Sequence, residues 1–122
     1  MKGKEKANIN DLLKTIIEGI LRKKGQEIVN LDFTGFENPI CPNFIICQGA
    51  SNTQVDAIAQ SVKKHVKEEL NETPWHIEGL ENAHWVLMDY GDVLVHIFQK
   101  KFRDYYKLEE LWADARIEKI DD

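Results

Sequence analysis

The chain predicts an α/β (α+β) fold, a mixed sheet of about five strands with flanking helices, and two observations carry that expectation. Helical repeats and short apolar runs follow the order helix, strand, strand, helix, strand, strand, strand, short helices, which is not a regular parallel βαβ series. In addition, Trp85-Val86-Leu87-Met88-Asp89-Tyr90-Gly91-Asp92-Val93-Leu94-Val95-His96-Ile97-Phe98 is a pair of apolar runs around a Gly-Asp turn, which reads as a β-hairpin. With 122 residues and 43% hydrophobic content, the chain is expected to be one domain over 1–122. Its core is placed at about 8–113, and the C-terminal tail from Ile117 on is expected to fray.

The first helix is marked by Ile9, Leu12, Leu13, Ile16, Ile17, Ile20 and Leu21 at helical spacing, with Asn8 or Asn10 to cap it and Gly25 after Arg22-Lys23-Lys24 to end it. Glu27 to Phe33 reads as a strand closed by Thr34-Gly35. Phe44 to Gln48, a fully apolar stretch except at its end, suits a buried central strand. Ser51 with Gln54 three positions on is a capping-box pattern, and Val55, Ile58, Ala59, Val62, Val66 and Leu70 then define one face of a second helix. Pro74 to Glu78 makes a short strand, at an edge because of its proline. After the hairpin, Lys100–Tyr106 and Leu108–Ala115 read as short helical pieces, with Leu108, Leu111 and Trp112 available to dock on the sheet.

Alternation divides the hairpin into two unlike faces. Val86, Met88, Tyr90, Val93, Val95 and Ile97 form an aliphatic side suited to the helices, whereas Trp85, Leu87, Asp89, Asp92, Leu94, His96 and Phe98 mix aromatic with ionisable groups. Pairing Asp89 with Asp92, or Met88 with Val93, gives the same partition; an odd-length loop would scramble it. The mixed face is either an interface or a second core face beneath the C-terminal helices.

Sixteen basic against twenty-one acidic residues give a formal charge of −5, which argues against a protein working mainly by neutralising nucleic-acid phosphates and favours basic partners. Ordinary solubility accounts for the same charge. No apolar run approaches the roughly 20 residues of a membrane span, and the lysine-rich start, Met1 to Lys6, leads into an amphipathic pattern, so a cytoplasmic, unprocessed protein with no membrane contact is expected. Cys41 and Cys47 lack a second pair for zinc and a Cys-x-x-Cys redox motif, and they are expected to be reduced and structural.

Chemistry is sparse. Asp89 and Asp92 could suggest a metal and Gly49-Ala50-Ser51 a phosphate-binding turn, but turn and capping roles explain both more simply. His96 could be oriented by a carboxylate as a base, yet no nucleophile is spaced to join it, and His65, His76 and His84 lack metal-ligand spacing. No catalytic residue, metal or cofactor is therefore expected. Lys100-Lys101-Phe102-Arg103-Asp104-Tyr105-Tyr106 mixes basic and aromatic residues as RNA-stacking segments do, but its helical spacing serves core docking equally, so RNA contact would be auxiliary at most.

The hairpin sequence, followed by Arg103-Asp104-Tyr105-Tyr106-Lys107-Leu108-Glu109-Glu110-Leu111-Trp112, closely resembles the ribosomal silencing factor family, also called Iojap-like proteins. Supporting stretches are Gly25 to Asp32, Phe44 to Ser51 and Glu78 to Asn82, so the resemblance runs from the first helix to Trp112. It implies a non-enzymatic translational repressor that binds the large ribosomal subunit through a ribosomal protein of the L-fourteen type. By occupying the joining surface it would block the small subunit and lower translation under nutrient limitation. It also implies a fold distantly similar to nucleotidyltransferases, whose full catalytic carboxylates are not recognisable here; a nucleotide-handling protein is the alternative. By the same resemblance Trp85 is an aromatic anchor, Asp89 and Asp92 partners for lysine or arginine, and His96 a neighbouring polar contact. Glu78 and Glu81 are further partner-binding candidates, and a homodimer of the free factor is implied as possible.

Overall fold

In the computed structural model, residues 8–37, 39 and 41–121 are described; Met1 to Lys6 lie outside them. Helix α1 (Ile9–Arg22) starts at Asn8, whose side chain accepts the Asp11 N–H at 2.9 Å, and buries Leu12, Thr15, Ile16, Gly19 and Ile20. Helix α2 (Asn52–Leu70) starts at Ser51, whose hydroxyl accepts the Gln54 N–H at 3.1 Å, and ends at Asn71 in the left-handed conformation. The two helices lie side by side. Gly19 permits their close approach: a Cβ there would sit 2.9 Å from the Val62 Cα, and the Ser61 hydroxyl donates to the Gly19 carbonyl at 2.7 Å.

Six strands form one sheet: β1 (Gln26–Asp32), β2 (Asn43–Gly49), β3 (His76–Glu78), β4 (Trp85–Asp89), β5 (Val93–Gln99) and β6 (Arg116–Ile120), in the order β3-β4-β5-β2-β1-β6. β2 and β5 pair in parallel at the centre and the remaining pairs are antiparallel, so the sheet is mixed. Every residue of β2 is buried, as its apolar run suggests. Two short helices, α3 (Lys100–Tyr106) and α4 (Leu108–Leu111), follow β5.

The sixth strand corrects the sequence expectation, which has about five strands and a fraying tail. Arg116–Ile120 pairs along β1, with Ile120 opposite Ile28 and Ile117 opposite Leu31. This covers a β1 edge that would otherwise be open, and Ile120 packs on the helix-side core. The hairpin register is also corrected. Asp89 stands opposite Leu94, two residues from either expected pairing, because the Tyr90 N–H closes on the Val93 carbonyl at 3.0 Å while the Asp89 carboxylate accepts the Gly91 N–H at 2.8 Å. Gly91 takes φ 86, which a side chain would disfavour. A shift of two leaves parity intact, so both faces are composed as expected.

Val86, Met88, Tyr90, Val93, Val95 and Ile97 join Ile28, Ile45 and Cys47 under α1 and α2 in the larger core. A second core on the opposite sheet face holds Val29, Leu31, Phe33, Phe44, Ile46, Phe98 and Leu108. Both cysteines are free and buried, and burial pushes the Cys47 thiol up to about 12. Among the described residues, no helix is long and apolar enough to cross a membrane.

Candidate docking site

The strand registers set out the second face row by row. From the β3 edge inward it presents His76 and Glu78, then Trp85, Leu87 and Asp89, then Leu94, His96 and Phe98, then Phe44 and Ile46. The inner rows are roofed by the β1–β2 connection and the C-terminal segment. Phe33 meets Phe44 edge-on at 4.7 Å and Trp112 at 5.3 Å, and Phe36 leans on Trp112 at 6.4 Å. The outer rows are different: Trp85, Leu87 and Asp89 are half-buried, and His76 and Glu78 are exposed. The mixed face is thus core at its centre and surface at its β3–β4 side.

Trp85 sits at the boundary between the two. Its ring stacks on Phe98 at 4.8 Å and meets Tyr106 at 5.1 Å, and its indole N–H donates to His96 Nδ1 at 3.1 Å. An indole only donates, so His96 Nδ1 is the acceptor and the neutral ring carries its proton on Nε2. Burial lowers the His96 pKa to about 4, which keeps the ring neutral. His96 is 5% exposed and packs 4.6 Å from Phe44, so in this structure it lies beneath the surface where sequence reading has a polar contact. The reason is lateral: β5 is flanked on both sides, and the neighbours' large rings close over it. The group that orients His96 is an indole and not the carboxylate a general base needs.

The four acidic candidates fall into two places. Asp89 caps the hairpin turn through Gly91, and the Asp92 carbonyl accepts the Asn43 N–H at 3.3 Å, both at the far end of β4 and β5 from Trp85. Glu78 and Glu81 instead join Trp85 and Tyr106 around a groove of about 510 Å³.

Other candidates resolve into structural parts. Arg103 is 8% exposed: its Nη1 donates to the Glu27 carbonyl at 2.7 Å and to Gln48 Oε1 at 3.2 Å, and its Nε donates to Glu109 at 2.8 Å. It ties α3 to β1 and β2, which corrects its reading as an RNA contact. At Gly49-Ala50-Ser51 the Ala50 N–H donates to Gln54 Oε1 at 2.7 Å, and Gln54 Nε2 donates to the Lys23 and Lys24 carbonyls at 3.2 and 3.1 Å. That turn caps α2 and clasps the end of α1. Leu111 does not dock on the sheet: it is 73% exposed, beside half-buried Trp112. Sequence reading misses the exposure of Leu111, because amphipathic spacing in a short helix does not reveal which stripe turns inward.

The family described as "Ribosomal silencing factor during starvation" matches residues 6–122. The ribosomal silencing factor RsfS of Halalkalibacterium halodurans is 44% identical over 105 residues, covering 86% of this chain and 88% of that protein. The chloroplastic protein Iojap of Zea mays is 35% identical over 72 residues, 59% of this chain and 31% of that one. Among solved structures, a crystal structure of a Chromobacterium violaceum protein superposes with a TM-score of 0.81 at 37% identity, covering 88% of each chain.

Proposed function

The chain belongs to the ribosomal silencing factor family, and from that membership we propose that it represses translation by docking on the large ribosomal subunit through a ribosomal protein of the L-fourteen type. Seated there, it blocks joining of the small subunit under nutrient limitation. The mechanism is occupancy, with no bond made or broken. The observation that supports this reading is the uncovered β3–β4 side of the second sheet face, where half-buried Trp85 and Leu87 lie beside Glu78 and Asp89. An apolar centre with a charged rim is how a stable protein interface concentrates its energy. The acidic rim and the −5 chain suit a basic ribosomal protein through long-range attraction and steering.

On this reading Trp85 is the anchor, His96 holds it from beneath, and Asp89, Asp92, Glu78 and Glu81 supply the rim. A second copy of the chain using the same face would form a homodimer in competition with the subunit. The test is co-sedimentation with purified large subunits, alongside subunit joining followed by light scattering. Leu87→Lys puts a charge in the apolar centre without touching the helix-side core, and it is expected to weaken subunit binding by about tenfold or more and to relieve the block on joining. Unchanged binding by a variant with native circular dichroism overturns the proposed face.

A further inference from the structure

We propose that the groove between the Glu78–Ala83 loop and α3 is a preformed receptor for an arginine side chain of the docking partner, an inference that rests on the docking role above. The groove is built before any partner arrives. Gly79, at φ 90, lets the loop fold back so closely that a Cβ there would collide with the Trp85 carbonyl oxygen. The Ala83 N–H donates to the Gly79 carbonyl at 2.9 Å, and Ala83, buried and without a glycine's freedom, takes φ 54. A left-handed alanine is a local cost that the surrounding fold must impose, and such costs cluster where a segment is held ready for a ligand.

The walls specify the ligand. The rings of Trp85 and Tyr106, 5.1 Å apart, line it, with Tyr106 47% exposed. Glu78 and Glu81, both exposed, line the same groove, and among the described residues no lysine or arginine does. Glu78 is steadied by His76 Nε2 at 3.0 Å. Aromatic faces and carboxylates together select a cation that is flat and forked: a guanidinium stacks on a ring while donating in pairs to a carboxylate, which a lysine ammonium cannot do. The groove adjoins the uncovered face through Trp85 itself, so one partner segment can cover Leu87 and insert its arginine beside Tyr106.

The experiment has two arms. In the first, a short arginine-containing peptide and its lysine counterpart are titrated into the isotopically labelled protein. The Trp85 indole and the Glu81 and Ala83 amides are expected to shift with the arginine peptide and much less with the lysine one. In the second, Glu78→Gln/Glu81→Gln is co-sedimented with large subunits over a salt series, with an expected loss of about tenfold at low salt and a shallower salt dependence. If wild-type protein binds subunits while the double variant binds equally well and the peptide leaves the groove unmoved, the groove proposal fails and the docking role stands. If the arginine peptide moves the groove but wild-type protein ignores large subunits, the docking role fails and the receptor stands.

Discussion

Burial beside Trp85 gives His96 a measurable signature. His96 titrates at about 4 when folded against an ordinary value near 6.5, so between those values the unfolded chain binds more protons than the folded one. Stability is therefore complete above about pH 6.5 and declines as pH falls toward 4, by about 3 kcal/mol at most. Glu18, held below the usual carboxylate range chiefly by its hydrogen bond to His65, also loses stabilisation in acid, so the comparison must be differential. His96→Phe keeps an aromatic ring and removes the titration. The wild-type urea midpoint should fall further between pH 7.5 and pH 4.5 than the variant's, and parallel curves would show that His96 does not titrate in this window. Neither the burial nor the bond is legible in the sequence. Alternation places His96 on the correct face, but whether neighbouring strands bury that face depends on the strand order, which the linear chain does not display.

Helices and hairpin show the same division. The apolar stripe of α2 is readable because helical spacing repeats it; buried His65 escapes because its fit depends on Glu18 of α1, 3.0 Å away in the folded chain. In the hairpin, parity is readable and register is not, since the Asp89–Gly91 bond that sets the turn is a local competition between several acceptable loops. Gly19 is the helix-pair counterpart, a small residue whose necessity appears only when Val62 is placed against it. Gly19→Ala, although favourable for an isolated helix, should destabilise the protein by about 1–3 kcal/mol because the new methyl meets backbone that cannot rotate away. A lowered thermal midpoint with unchanged helical content would agree; a raised one would mean that α1 and α2 can separate without loss.

Across the whole molecule, two helices pack on one sheet face while a loop and the C-terminal segment roof only the inner strands of the other, and that asymmetry leaves its β3–β4 side uncovered, the surface proposed for docking. The fold class and the composition of both faces follow from the chain's own pattern. The sixth strand does not, because Arg116–Ile120 is charged and short, and it becomes a strand through pairing with β1. Removing residues 116–122 should cost about 1 kcal/mol from the partial burial of Ile120 alone and leave β1 as an open edge. A lower urea midpoint together with concentration-dependent association is the expected result, and unaltered stability would mean that β6 contributes nothing. The central parallel pair, finally, sets Asn43 against Val93 and Gly49 against Gln99, partners fifty positions apart in the chain. Such pairing forms late, after a long loop has closed. The face that carries Trp85 and Leu87 therefore cannot be complete in a chain that stops before Val93, because the strand that joins it to the centre of the sheet has not yet been made.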